Sequence, residues 1–381
     1  MRIGLVTGEY PPMQGGVGAY TQILARTMAD QGHEVRVLSS TKAAESDPRI
    51  VLLPSIRSWN IASLGEIRDW TQKHRLDVVN IQYQTAAYGM SPVIHFIPNV
   101  VGSVPVITTF HDLRFPYLFP KAGRLRDWIV MHLARASDGV IATNHEDMNR
   151  LSHLPCAALI PIGSNILQTL PEGFDPQPFR KQAGATEGDL LLAYFGLINQ
   201  SKGLDTLLHA VASLRKHDIP ARLIIIGGEA GSSDPTNAAY QREIQSLIDQ
   251  LNLAPYVYTT GFVDEAAVGK FLAASDVVVL PFRDGASYRR GSLMAAIRYG
   301  CAIVTTQPAV EIPAFTDGEN MLLVPPDDSE ALHHAITRLY QSPELRQRLS
   351  AGAHQLASHF EWANIARDTV AFFERVAGVT I

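Results

Sequence analysis

Short, β-branched apolar runs recur along the chain, separated by amphipathic stretches. In the first half they are Arg2 to Thr7, Glu34 to Leu38, Val78 to Gln82, Val106 to Phe110 and Gly139 to Thr143. In the second half they are Leu190 to Gly196, Arg222 to Gly227, Tyr256 to Thr260, Asp276 to Leu280 and Ala302 to Thr306. Helical stretches such as Leu204 to Lys216 lie between them. Runs this short that are apolar throughout predict strands covered on both faces. Strands that alternate with helices predict right-handed βαβ units and mostly parallel sheets. Leu167 to Thr186 breaks the rhythm with prolines, glycines and polar residues, so it reads as a linker. From Pro343 the chain reads as helical, and Phe360, Ile365, Val370, Phe373 and Val376 give a closing helix its apolar face. The expected organisation is two similar α/β domains, residues 1–175 with 360–381, and residues 187–359.

Composition agrees with two ordinary cores. The chain has 381 residues, 46% of them apolar and 18% charged, more than a single core usually supports. A net charge of −5 with no long basic run argues against nucleic acid as a partner. Cys156 and Cys301 lie far apart and Cys301 opens an apolar strand, which predicts free thiols and a reducing, cytoplasmic setting. The first residues, MRIGLVTGEYPP, read as a strand and not as a secretory leader, and no apolar stretch is long enough to span a membrane.

Candidate chemistry gathers where strands hand over to helices, because ligands of parallel sheets bind outside the carboxyl ends of the strands. After the first strand, EYPPMQGGVGAY leads into a helix ending near Gly32. Gly15 and Gly16 there allow close approach of backbone to a ligand, with the helix amino end at Val17 facing it. Gly16-Val17-Gly18 stands too far from the strand, and lacks the third glycine, for a dinucleotide fingerprint. His111 and Asp112 follow PVITTF, where a histidine can donate a hydrogen bond to a substrate hydroxyl or carry a proton. Lys202 precedes Gly203 and a helix; its sign is wrong for a helix start, which favours a phosphate-binding role. Asp284 to Gly300, DGASYRRGSLMAAIRYG, sits between a strand and a helix, so Arg289, Arg290, Gly291, Ser292 and Leu293 form a candidate anion site. The loops in IIIGGEAG and TTGFVDEAA can read a flat base through backbone groups. No Asp-x-Asp pair, His/Cys cluster, Gly-x-Ser-x-Gly elbow or Walker loop is present, so neither a metal nor a bound cofactor is expected. Lys121, Arg124, Arg126 and Arg135 around Trp128 and Met131 suggest peripheral contact with a membrane surface, or simply a charged helix with an apolar core face.

Taken in order, EYPPMQGGVGAY, GHEVRVL, TTFHDL, LIPIGSNI, YFGLINQSKGLDTLLHA, GFVDEAAVGKFLAASDVVVLPF, AAIRYGCAIVTT and DGENMLLVPPDDSEAL resemble the retaining GT-B glycosyltransferases of family 4. The resemblance runs over nearly the whole chain. It implies two Rossmann-like domains with parallel sheets facing across a cleft and a last helix crossing back to the first domain. It further implies an acceptor, carbohydrate or lipid-linked, on the amino-terminal domain and a nucleotide-diphosphate sugar on the carboxyl-terminal one. Carried over by position, Gly15 and Gly16 would lie against the donor diphosphate, His111 near the donor sugar, and Lys202 on the phosphates. Retention without a covalent intermediate, in a reaction serving carbohydrate biosynthesis, is part of the same implication, as is work in the cytoplasm or at the inner face of its membrane.

The chain departs from the family pattern at three positions. Leu197 stands where the family carries an arginine before the lysine, and Ser287 and Ala295 stand at the two glutamates of its Glu-x7-Glu signature. The expectation is that Arg289 and Arg290 replace the missing arginine, while Asp284 or Ser287 reads sugar hydroxyls. The lost glutamates keep a catalytically silent sugar-nucleotide binder in view, beside an epimerase on the same fold. A phosphorylase would need a pyridoxal-binding lysine that is not evident.

Overall fold

The computed structural model describes residues 1–13, 15–113, 123–227 and 235–378. The chain divides into two compact units, Met1–Asn165 with Glu361–Ile381, and Ile166–Phe360. Among the described residues, unit one holds a seven-stranded parallel sheet. Its strands are β1 (Arg2–Thr7), β2 (Glu34–Ser40), β3 (Ile50–Ile56), β4 (Val78–Tyr83), β5 (Val106–Phe110), β6 (Gly139–Ala142) and β7 (Ala157–Leu159), in the order β3-β2-β1-β4-β5-β6-β7. Unit two holds a six-stranded parallel sheet of β8 (Leu190–Gly196), β9 (Ala221–Gly227), β10 (Val257–Thr259), β11 (Val277–Leu280), β12 (Ile303–Thr306) and β13 (Leu322–Val324), in the order β10-β9-β8-β11-β12-β13. Each sheet reverses its direction of growth once, at β1/β4 and at β8/β11. These are the switch points where parallel sheets open a crevice at their carboxyl ends.

The central strands are buried on both faces, as in β5, where all five residues are covered, and this produces their unbroken apolar runs. The strands that periodicity did not predict are β3, β7 and β13, all at or beside a sheet edge. β3 carries Pro54 and an exposed Val51, because an edge strand is covered on one side only. Leu167 to Thr186 is more than a linker. Its helix Gln177–Gln182 packs on unit two, with Phe179 edge-on to Phe271 at 5.3 Å and Arg180 donating to the Ala274 carbonyl and paired with Asp276 at 2.9 Å. The helix Trp362–Ala377 packs on unit one, where Trp362 Nε1 donates to the Ser164 carbonyl at 2.8 Å and Gln31 Nε2 to the Ala363 carbonyl at 2.8 Å. Among the described residues, no helix is long and apolar enough to cross a membrane.

One buried carboxylate ties the loop after β1 to the rest of unit one. Glu45, its side chain 2% exposed, accepts from Arg26, from the Tyr10 hydroxyl at 2.5 Å, and from the Ser46 and Asp47 N–H groups at 2.7 and 2.9 Å. Burial alone would raise its pKa, but these donors outweigh burial and push it down to about 2. A folded-state pKa below the unfolded value stabilises the fold above the ordinary carboxylate range, and that stability is lost as pH falls towards 2. Glu45→Gln is therefore expected to lower unfolding free energy at pH 7 by on the order of 3 kcal/mol. Denaturant melts should show the gap closing between pH 5 and 2; a gap independent of pH would contradict the assignment.

Candidate functional site

In unit one the carboxyl ends of β1, β4 and β5 lie side by side, since β4 pairs with both neighbours. The loop after β1 enters the helix Gly16–Asp30, and His111 follows β5 directly. Gly15 is extended, and a side chain there would overlap the carboxylate of Glu9. Glu9 Oε1 accepts from the N–H groups of Val17 and Gly18 at 3.1 and 3.2 Å. The helix start expected to face a ligand is thus capped from within the chain, a contact that sequence reading missed. Gly16 is exposed, with nothing within 4 Å of the position a Cβ would occupy.

The His111 ring is half-buried, edge-on to Tyr20 at 4.6 Å, and Tyr20 in turn meets Trp362 at 5.1 Å. Its Nε2 bonds Gln82 Oε1 at 2.8 Å. Burial pushes its pKa down to about 3, so the ring is neutral at physiological pH. With Nε2 engaged by Gln82, Nδ1 is the ring nitrogen left for a ligand.

In unit two, Lys202 lies in the loop after β8, and residues 281–290 connect β11 to the helix Gly291–Arg298. The two loops touch: Arg283 N donates to the Ser201 carbonyl at 2.9 Å. Gly203 has φ +65°, and a side chain there would overlap the Pro281 carbonyl, so glycine is required by both conformation and space. Burial, and secondly the charge of Arg290, push the pKa of Lys202 down to about 8. Arg290 pairs with Asp284, Arg289 lies 3.5 Å from the same carboxylate, and the Arg290 guanidinium sits 4.7 Å over the Phe282 ring. The helix Gly291–Arg298 takes no side-chain cap from Arg290 at its N-cap and has no acidic residue in its first turn. Its amino end and three cationic side chains therefore converge on one region of unit two.

Not every predicted residue can contribute. Leu293 is fully buried and its N–H is spent on the Arg290 carbonyl at 2.8 Å, so it has nothing to offer a ligand. Its place on the helix's apolar stripe indicates core. Ala295, at the second family glutamate, is also fully buried. Ser292 is buried, while Ser287 is half-buried and Gly291 exposed. The base-reading candidates are joined through Thr260, whose Oγ1 accepts from Gly227 N at 3.0 Å; residues 228–231 lie outside the described residues. Among the described residues no group of three His, Cys, Asp or Glu side chains is placed to hold a metal. Trp128 is 53% exposed; the stretch Phe115 to Gly123, apart from the backbone of Gly123, and the side chains of Lys121, Arg124 and Arg126 lie outside the described residues.

Two family patterns match the chain, glycosyltransferase family 4 over residues 14–165 and glycosyl transferases group 1 over residues 189–342. The phosphatidyl-myo-inositol mannosyltransferase of Mycolicibacterium smegmatis is 23% identical over 400 residues, covering 100% of this chain and 95% of the relative. The MMP alpha-(1->4)-mannosyltransferase of Mycolicibacterium hassiacum is 25% identical over 436 residues, covering 98% of each. Among solved structures, sucrose-phosphate synthase of Thermosynechococcus elongatus superposes with a TM-score of 0.75 at 19% identity over 99% of both chains. An Anabaena protein crystallised with UDP and glucose gives 0.74 at 19% identity over 97% of this chain and 98% of that one. At such identities the structural likeness carries the fold alone, and that fold is GT-B. The two patterns between them span both units, so the chain belongs to glycosyltransferase family 4 and is a glycosyltransferase on a GT-B scaffold.

Proposed function

We propose that the protein transfers a sugar from a nucleotide-diphosphate donor to an acceptor hydroxyl, with retention and without a metal ion. The observation that carries this reading is the cluster of Lys202, Arg289 and Arg290 at the amino end of Gly291–Arg298. Cationic groups fixed where a diphosphate departs stabilise the charge that grows on it, which is the larger part of the chemistry in such a transfer. Lys202 bears directly on this point, because with its pKa held at about 8 it remains mostly protonated at pH 7 and an arriving anion favours that charged form. No side chain of the site is a convincing covalent nucleophile, which supports departure and attack on the same face, with the leaving phosphate taking the acceptor's proton. The acceptor, carbohydrate or lipid-linked, and any contact of Trp128 with a membrane belong to the same proposal.

Asp284 holds both arginines, and its reach towards sugar hydroxyls is part of the reading. Arg290→Ala is expected to weaken donor binding by about 1.5 to 3 kcal/mol, the worth of a charge-assisted contact. Calorimetry decides it: affinity within error of wild type removes Arg290 from the site. The wider test is a panel of UDP-, GDP- and ADP-sugars, followed by calorimetry and by slow donor hydrolysis. Hydrolysis of one donor supports transfer, binding without turnover identifies a silent binder, and interconversion of the sugar identifies an epimerase.

A further inference from the structure

Unit one contains a chain of buried amides whose direction is fixed. Asn80 and Gln82 are fully buried on β4 and, two residues apart, project from the same face of the strand. Asn80 Nδ2 donates to the backbone carbonyl of Ile107 at 3.1 Å and to Thr109 Oγ1 at 3.0 Å. A backbone carbonyl can only accept, so the amide nitrogen must face it and Asn80 Oδ1 must point on towards Gln82. There Oδ1 accepts from Gln82 Nε2, which leaves Gln82 Oε1 to accept from His111 Nε2 at 2.8 Å. Turning either amide over would set two acceptors or two donors against each other in a buried place. The Thr109 hydroxyl, 3.4 Å from Asn80 Oδ1, can take either role, so the direction is set by the Ile107 carbonyl. The polarity set at Ile107 is thus relayed to the imidazole. The titratable ring packed on it is Tyr20, from the helix Gly16–Asp30, and Asp112 follows in the chain.

We propose that Asn80 and Gln82 are positioning residues that lock His111 in the Nε2–H tautomer, so that its Nδ1 accepts a hydrogen bond from a substrate hydroxyl. The hydroxyl as ligand rests on the glycosyltransferase reading; the tautomer does not.

The test is imidazole NMR on the full-length, nitrogen-labelled protein, using long-range proton–nitrogen correlations without ligand. The expected His111 pattern at pH 7 is a protonated Nε2 and an unprotonated Nδ1. An Nδ1–H ring, a mixture of tautomers, or an imidazolium would overturn the proposal, and this readout needs neither a variant nor a substrate. Gln82→Met removes the acceptor and is expected to give mixed tautomers with a fall in kcat of about tenfold, the effect of one neutral hydrogen bond. Gln82→Glu puts a carboxylate beside the ring and should draw a proton onto Nδ1, so that transfer is lost at low pH and returns as pH rises. A pH profile unchanged from wild type in a folded Gln82→Glu protein would count against the lock. A locked Nε2–H ring in a protein that turns over no sugar nucleotide would sink the transferase reading and leave the amide relay standing.

Discussion

Replacing Lys202 with methionine is expected to abolish measurable sugar-nucleotide binding while making the free protein harder to unfold. The two effects share one cause. Burial and Arg290 hold the Lys202 ammonium at a pKa of about 8, whereas the unfolded chain holds it near 10.5. Between those values the unfolded state binds more protons, so stability rises with pH there, and below about 8 the folded state bears the full cost of the buried charge. Methionine keeps the length of the side chain and removes the charge. The expected gain at pH 7 is on the order of 1 to 3 kcal/mol, and it should shrink as pH rises from 8 towards 10.5. For the wild type, donor affinity should fall between pH 7 and 9, because the proton that pairs with the diphosphate is leaving. Denaturant melts and calorimetry at matched pH test both halves. A Lys202→Met protein that binds donor normally, or that is less stable than wild type at pH 7, would remove Lys202 from the anion site.

His111→Ala is expected to cost on the order of a hundredfold in kcat, comparable with the loss of one preorganised hydrogen-bonding group at a reacting centre. The effect on stability should be small, about 1 to 2 kcal/mol. What is lost is the Tyr20 ring contact and one partner of Gln82 Oε1. Donor affinity should barely change, since the cationic cluster lies in unit two. A variant that turns over normally, or one that fails mainly by unfolding, would falsify this role for His111.

Much of this architecture is legible in the residues because doubly covered strands are written as unbroken apolar runs. β1, β5 and β8 begin and end where those runs do. The unread parts are those where that physics weakens. β7 and β13 are three residues long, and β3 faces solvent on one side, so its pattern is mixed. Strand ends also indicated where the candidate residues lie: His111, Lys202 and the two arginines all follow strands, where a parallel sheet presents side chains. Side-chain contacts made across loops or between elements were not legible. Nothing local says that Glu9 caps the helix at Val17, that Asp284 holds two guanidinium groups, or that Arg180 reaches Asp276. Leu293 misled because an anion site was read from the helix start alone, although its stripe with Met294 and Ile297 already assigned it to the core. Asn80 and Gln82 did leave a signal. Two amides inside VVNIQY, a strand otherwise suited to full burial, must find partners within the fold.

The packing of Trp362 on Tyr20, and of Tyr20 on His111, also bears on the order in which the protein becomes competent during synthesis. All of unit two is translated before the helix Trp362–Ala377, yet that helix completes unit one. The end of unit two is still inside the ribosome while that helix is being made, so unit one gains its last helix, and His111 its ring support, only at about the time the chain is released. A chain ending before Trp362 is expected to leave the His111 ring without that support.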